Sequence, residues 1–347
     1  MNAIARVLVV DDSAYVRKVV SQMLSRSPFL EVVATARNGR EALEIAQEVQ
    51  PDVITCDLNM PEMDGVAFVR EQMARRPVPI VVISVINSAA EQVLAALDAG
   101  AIDFLQKPTA LASDRLLDVA DQLIEKVKAA AAAPMNRTAP PSATRAIPGV
   151  RRAALTSTGA VDIVVVGVST GGPQALKMLM PQLPADLPVP VAVVIHMPPG
   201  YTELFAAKLG EVCALDVREA AEGDVVKPGV VLIAPAGRHL KFRRAGADVI
   251  CHLDLRPLDT LHRPAVDVLF QSAAKTYGAG TLGVVMTGMG SDGREGAAWI
   301  KARGGRVLTE AEPSCVVYGM PRSVVEAGLS DESVPLDGLA EAILRRL

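Results

Sequence analysis

The sequence predicts two α/β domains in series, each a doubly wound parallel sheet, joined by a flexible linker. Three observations predict this. Short apolar runs alternate with helical patterns through residues 1–125, and the alternation resumes from 159 to 347. Between them, residues 126–158 are rich in Ala, Pro, Ser and Thr and show no hydrophobic period. Polar residues able to do chemistry fall just beyond the apolar runs, where open α/β sheets place their sites. A length of 347 residues fits two or three domains, and half of the residues are apolar, enough for each domain to bury a core. Aromatics make up only 3%, so the cores must be built from Val, Ile, Leu and Ala.

In the first domain, Arg6-Val-Leu-Val-Val leads into Asp11-Asp12-Ser13, and Asp52-Val-Ile-Thr-Cys leads into Asp57. Pro79-Ile-Val-Val-Ile ends at Ser84, and Ile102-Asp-Phe-Leu precedes Lys107-Pro108. Helical stretches near 14–26, 39–48, 66–75, 89–99 and 113–128 separate these runs. Three carboxylates crowded at strand ends suit a small, hard dication, Mg²⁺ being the usual choice. The metal offsets their repulsion and lets a phosphoryl group approach Asp57. Lys107 supplies a point charge for phosphoryl oxygens and Ser84 a hydroxyl. Taken singly, Asp11, Asp12 and Asp57 also suit caps of helices or loops. Five such groups at matching strand ends favour a phosphate-accepting switch.

Charge is uneven. Residues 1–125 carry 11 basic and 18 acidic side chains, a net of −7, whereas residues 126–160 carry six basic ones and no acid. The basic stretch reads as a tether; Ala129–Ala133 suits an extension of the preceding helix, stopped by Pro134. Neither end of the chain is basic enough to suggest nucleic acid. Cys56, Cys213, Cys251 and Cys315 lie far apart, which suggests neither a disulfide framework nor zinc and fits a reducing cytosol. No signal peptide is evident, and no apolar run reaches the ~20 residues needed to span a bilayer, so a cytoplasmic protein without membrane insertion is expected.

The second domain opens with Val161-Asp-Ile-Val-Val-Val. Further strand runs follow at 189–195, 230–234, 282–287 and 306–308, with helical patterns near 173–180, 202–210, 264–276, 293–303 and 337–346. His239–Leu255 alternates around Ala245-Gly-Ala-Asp248, which reads as an antiparallel hairpin on the sheet edge. The first strand runs into Gly167-Val-Ser169-Thr-Gly171-Gly172-Pro173. A serine in a small-residue loop before a helix can be a nucleophile, with helix N–H groups facing an oxyanion. Ser and Thr there also suit a plain helix cap. Val191-Ala-Val-Val-Ile195 ends in His196, and Gly283-Val-Val-Met-Thr-Gly288 continues through Met289-Gly-Ser to Asp292. Serine, a base and an orienting carboxylate therefore all follow strand ends, in the order Ser…His…Asp, which favours a triad. His239 and His252 are less persuasive. His262, in Leu261-His-Arg-Pro-Ala-Val-Asp267, can line the cleft without being the base. Four scattered histidines argue against zinc.

Residues 5–125 resemble the receiver domain of bacterial two-component response regulators, a five-stranded flavodoxin-like fold. The resemblance rests on the residues above, the Asn59-Met-Pro-Glu-Met-Asp-Gly65 loop and Gly100-Ala-Ile-Asp-Phe104. It implies that Asp57 is the phosphoacceptor and that Asp12, Asp57 and the carbonyl of Asn59 bind Mg²⁺, assisted by Asp11. It also implies that Ser84 and Lys107 bind the phosphoryl group and that Phe104 takes the aromatic switch position. Gly-Val-Ser-Thr-Gly-Gly-Pro, Ile-His-Met-Pro and Met-Thr-Gly-Met-Gly-Ser-Asp-Gly resemble the catalytic domain of the bacterial chemotaxis protein-glutamate methylesterases, which also carry a receiver. That likeness implies attack by Ser169 on a glutamate methyl ester of a chemoreceptor, His196 as base, Asp292 orienting it, and an oxyanion hole of N–H groups near Thr170 and Met289. Deamidation of receptor glutamines, a chemotaxis histidine kinase as phosphodonor and an autoinhibitory contact of the receiver with the catalytic domain are implied as well. The esterase reaction needs no cofactor. Ala236 stands where that family more often has glycine.

Two other classes fit these residues less well. A dinucleotide-binding fold would show G-x-G-x-x-G after its first strand and an acid after its second, but Gly167-x-x-x-Gly171-Gly172 and His196 stand there. A transcriptional regulator would carry a basic recognition helix, but residues 161–347 are net acidic.

Overall fold

The structure is a computed structural model that describes residues 4–84, 90–107, 113–133 and 161–347. It divides into two compact units, whose described residues are 4–133 and 161–347. Pro108 and residues 134–158 of the expected tether lie outside the described residues.

The first unit strings together β1 (Ala5–Val10), α1 (Ala14–Leu24), β2 (Leu30–Ala36), α2 (Gly39–Val49), β3 (Val53–Asp57), α3 (Gly65–Arg75), β4 (Ile80–Ser84), α4 (Ala90–Asp98), β5 (Asp103–Gln106) and α5 (Ser113–Ala131). All strands are parallel, in the order β2-β1-β3-β4-β5. β3 and β4 are buried throughout, which is why they read as continuous apolar runs. Helix starts follow the local chemistry. Ser13, Asn38 and Asp64 cap α1, α2 and α3 by accepting from the N–H groups of Val16, Glu41 and Ala67. The strand order reverses between β1 and β3, the switch point where such sheets hold ligands. Those two strands deliver Asp11 and Asp57 to the same end.

The second unit contains β6 (Ile163–Val168), α6 (Gly172–Leu179), β7 (Val191–Ile195), α7 (Thr202–Gly210), β8 (Asp216–Glu219), β9 (Val230–Ile233), β10 (His239–Ala245), β11 (Asp248–Asp254), α8 (Val266–Tyr277), β12 (Thr281–Val285), α9 (Arg294–Ala302), β13 (Arg306–Glu310), α10 (Met320–Glu326), β14 (Glu332–Val334) and α11 (Leu336–Leu344). Seven strands form one parallel sheet in the order β14-β13-β12-β6-β7-β9-β8. Here the switch lies beside β6, flanked by β12 and β7. The antiparallel hairpin β10–β11 is present, but it forms a two-stranded sheet of its own instead of extending the large one. Its inward residues Leu240, Phe242, Val249 and Cys251 join the core against α8, and Phe242 N–H donates to Ser272 Oγ at 2.7 Å. Packing on a helix thus satisfies the hairpin without an edge strand.

Candidate active site and phosphoacceptor site

The three triad candidates all lie at the switch point of the second sheet. Ser169 follows β6, and its N–H donates to the carbonyl of Thr287 at 3.0 Å. Gly172 N–H donates to the Ser169 carbonyl at 2.7 Å, which turns the chain sharply into α6. Gly171 supplies the left-handed residue that turn requires, with φ 78°. His196 follows β7, and its N–H donates to the Val168 carbonyl at 3.2 Å, next to Ser169 in the chain.

His196 Nε2 lies 2.8 Å from Asp292 Oδ2, and both side chains are nearly buried. The other ring nitrogen, Nδ1, is buried without a hydrogen-bond partner. Two further donors hold Asp292: Val266 N–H reaches Oδ2 at 2.8 Å and Asp267 N–H reaches Oδ1 at 2.9 Å. The carboxylate therefore sits on the N-terminus of α8, where the helix dipole favours negative charge. Burial alone would raise its pKa, but the hydrogen bond and charge of His196 and the two N–H groups hold it well below the usual range. An ionised Asp292 fixes the tautomer: Nε2 carries the proton, and Nδ1 is left as the acceptor.

Further residues complete the surroundings. The ring of His262 stacks on that of His196, with centroids 3.9 Å apart and planes 21° from parallel. His239 is fully buried and pins the segment that carries His262: Ala265 N–H donates to its Nδ1 at 3.2 Å, and its Nε2 lies 3.1 Å from the Pro257 carbonyl. Thr287 ties the strand ends together, because its Oγ1 donates to the Thr170 carbonyl at 3.0 Å and accepts from Val317 N–H at 3.0 Å. Buried Glu310 accepts from Thr287 N–H at 2.9 Å. Gly288 passes so close to Ser169 that a Cβ there would lie 2.8 Å from Ser169 Cβ. Thr170 is buried, and Met289 N–H, between Gly288 and Asp292, donates to none of the described residues. His252, on β11, pairs with Glu222 of the segment between β8 and β9, away from these groups in the hydrogen-bond network. His262 carried a sequence signal in its position before a helix; the roles of Thr287, Gly288 and Glu310 depend on long-range approach and left none.

In the first unit, Asp11 and Asp57 are buried and Asp12 is exposed, and one oxygen from each can lie within 4.8 Å of the others. Lys107 Nζ bridges Asp11 Oδ2 at 2.7 Å and Asp57 Oδ2 at 3.0 Å. Asp57 Oδ1 is buried with no partner. Burial raises the pKa of Asp57, and Lys107 only partly offsets it. Burial also disfavours the charge on Lys107, yet its contacts with Asp11 and Asp57 raise its pKa overall. Ser84, buried, ends β4, and Phe104 is buried in β5. Asn59, just beyond β3, is exposed. Three hard oxygen ligands and an orphaned buried carboxylate oxygen fit a site for a divalent cation such as Mg²⁺. The four cysteines are all free thiols, and no helix among the described residues is long and apolar enough to cross a membrane.

Comparison with known proteins agrees with both halves. Residues 7–120 match the response regulator receiver domain family, and residues 164–343 match the CheB methylesterase family. The chain is 49% identical over 342 residues to protein-glutamate methylesterase/protein-glutamine glutaminase 5 of Myxococcus xanthus, covering 98% of this chain and 97% of the relative. It is 44% identical to a protein-glutamate methylesterase/protein-glutamine glutaminase of Halalkalibacterium halodurans, covering 100% of this chain and 99% of the relative. The crystal structure of the Thermotoga maritima CheB methylesterase catalytic domain superposes with a TM-score of 0.53 at 42% identity, over 55% of this chain and all of that one. With a receiver at one end and the hydrolase fold at the other, matched along nearly its whole length, the chain belongs to the CheB methylesterase family of receiver-linked enzymes.

Proposed function

We propose that the protein is a phosphorylation-activated hydrolase that removes methyl groups from glutamate methyl esters on chemoreceptors, and deamidates receptor glutamines, in chemotaxis adaptation. The observation that carries this reading is the state of His196: Nε2 is committed to Asp292, and Nδ1 is a buried acceptor without a partner. Ser169 Oγ attacks the ester carbonyl and passes its proton to Nδ1. The oxyanion is met by N–H groups at Thr170 and Met289. Imidazolium, stabilised by Asp292, then protonates the leaving methoxide, and methanol departs. A water attacks the glutamyl-Ser169 ester, again losing a proton to Nδ1, and free glutamate and serine result. With glutamine, ammonia leaves in place of methanol.

In the receiver, Asp57 accepts the phosphoryl group from a chemotaxis histidine kinase, with Ser84 and Lys107 binding its oxygens. Asp11, Asp12, Asp57 and the Asn59 carbonyl would hold Mg²⁺, which when bound offsets the carboxylate repulsion. Phosphorylation adds roughly two negative charges at Asp57, draws Ser84 and Lys107 toward them and repacks Phe104. Domain limits of 1–125, 126–158 and 159–347 suit this arrangement, with the tether keeping the hydrolase at high effective concentration for an autoinhibitory receiver contact. The test is methanol release from methylated receptor membranes by the full chain with and without a phosphodonor, by residues 155–347, and by the Ser169→Ala variant. The donor and the truncation should each raise the rate, and Ser169→Ala should lose several orders of magnitude. A folded Ser169→Ala variant at the parent rate would sink the mechanism.

A further inference from the structure

The carboxyl groups of Asp267 and Asp292 sit on each other's helices. Asp292, in the segment before α9, accepts from the first N–H groups of α8, those of Val266 and Asp267. Asp267, in the first turn of α8, returns the arrangement: its Oδ1 accepts from Gly293 N–H at 2.9 Å and from Gly296 N–H at 2.6 Å, at the start of α9. Four backbone donors thus converge on two side chains, and each side chain anchors the helix opposite its own. The approach is tight enough to demand glycine. A Cβ on Gly296 would lie 2.5 Å from Phe270 Cβ and 3.0 Å from Asp267 Cα. Neither α8 nor α9 has a side-chain cap from its own N-cap residue, Ala265 or Gly293, so the exchange supplies the capping for both helices.

We propose that Asp267 is a positioning residue of the hydrolase, which by capping α9 while its own N–H holds Asp292 fixes the carboxylate that orients His196. The inference rests on the roles proposed above for Ser169, His196 and Asp292. Asp267 touches neither substrate nor the reacting atoms; it acts through Asp292. A simple cap would be satisfied by one acid on one helix. Here the loop bearing Asp292 is clamped from both sides, which locks the distance from α8 to α9 and with it the position of Oδ2 against Nε2. Displacement of a catalytic group by about 1 Å costs roughly 100-fold in rate, so such a clamp has rate consequences.

The direction in which its carboxyl is shifted supports this. Burial, with the negative charge of Asp292 added to it, raises the pKa of Asp267, although the Gly296 and Gly293 N–H groups pull the other way. Among the described residues, Asp292, from the segment before α9, is the charged group that acts on it, with His196 from the end of β7 behind Asp292, while the start of α9 presents the N–H groups of Gly293 and Gly296. A neutral Asp267 leaves the single negative charge on Asp292, where His196 needs it. Once Asp267 ionises, two carboxylates repel within the clamp and the geometry loosens, so kcat falls as pH rises through that transition.

The experiment uses the full chain, phosphodonor present, and measures kcat and KM on methylated receptor membranes across pH for Asp267→Ala, Asp267→Asn and Asp292→Ala. Asparagine keeps an oxygen for the two glycine N–H groups and cannot ionise. The expected result is a loss of about 10–100-fold in kcat for Asp267→Ala with KM within about twofold. Asp267→Asn should return to within about threefold of the parent and lose the alkaline decline. Parent kcat in Asp267→Ala overturns the proposal. So does an asparagine variant no better than alanine, or one whose pH profile matches the parent's, because a merely structural cap would not move the profile. If Asp267→Ala does not fold, the rate and pH profile of Asp267→Asn decide alone. Full activity in Asp292→Ala would instead remove the triad reading, and the positioning role with it.

Discussion

The imidazole of His262 covers one face of the imidazole of His196, 3.9 Å away between ring centroids. His196 is otherwise held at its edge, by Asp292 at Nε2. An edge contact fixes one atom but leaves the ring free to rock about that bond; a stacked plane removes the freedom. Replacement of His262 by alanine is expected to lower kcat by about three- to tenfold, the modest loss of a positioning contact that makes no bond to substrate. His262→Phe, which keeps a flat ring and cannot titrate, should recover most of that loss. If phenylalanine is as poor as alanine, stacking is not what His262 contributes.

Gly288 is a second restraint, by absence. A methyl group there would stand 2.4 Å from Met320 Sδ and 2.8 Å from Ser169 Cβ. The Met320 side chain can give way, but Ser169 sits in a turn fixed by the Thr287 carbonyl and by Gly172 N–H. Gly288→Ala should therefore push Ser169 out of line and lower kcat by about tenfold or more, with the far-ultraviolet circular dichroism unchanged. A variant with parent activity would show that the loop yields at no cost.

The strands that lead to Asp57, Ser84, Ser169 and His196 were legible because each is an uninterrupted buried run dominated by Val and Ile, and a polar residue at its end stands out. β2, whose burial is mixed along its length, and the short strands β8 and β14 at the rims of the second sheet gave no such runs. α10, seven residues long, has too few turns for a helical period to show. The hairpin was legible from its alternation, but its partner was not: which surface Phe242 and Cys251 cover is a tertiary fact. The same holds for the site. Residues at strand ends announce themselves, whereas the His262 stack, the Gly288 approach and the Asp267–Asp292 exchange join segments about 25 to 120 residues apart, where only packing reveals the pairing.

His239 gives the second unit a sensitivity to acid. Its Nδ1 accepts from Ala265 N–H, so the buried ring is neutral with its proton on Nε2. Burial lowers its pKa, and Arg263 and Lys241 add to the shift against the Pro257 carbonyl. The folded state thus binds its proton later than the unfolded chain does. Stability is complete above the ordinary imidazole range and is lost as pH falls from about 6.5 through the depressed folded value. Urea unfolding followed by the fluorescence of Trp299, the single tryptophan, reads this unit alone. Its midpoint should fall between pH 7.5 and pH 5, and His239→Gln should flatten that fall while costing about 1–2 kcal/mol at neutral pH. An equal fall in both proteins would assign the acid sensitivity elsewhere.

The receiver site carries the opposite sign. Asp57 is buried beside Asp11, with one oxygen unpartnered, and its raised pKa means that ionising it costs more in the folded state than in the unfolded chain. Stability associated with Asp57 is therefore greatest at low pH and declines as pH rises through the carboxylate range toward the raised folded value. Removing the side chain relieves that cost, because Lys107 keeps its contact with Asp11 at 2.7 Å. In metal-free buffer at pH 7–8, Asp57→Ala should raise the melting temperature of the receiver transition by a few degrees, in line with roughly 1 kcal/mol in a domain of this size. Calorimetry separates that transition from the one that Trp299 reports. Added Mg²⁺ should raise the parent's receiver transition and leave the variant's almost unmoved, and a phosphodonor should no longer change the variant's rate of methanol release. A receiver destabilised by Asp57→Ala would mean that the pairing with Lys107 outweighs the burial of the charge.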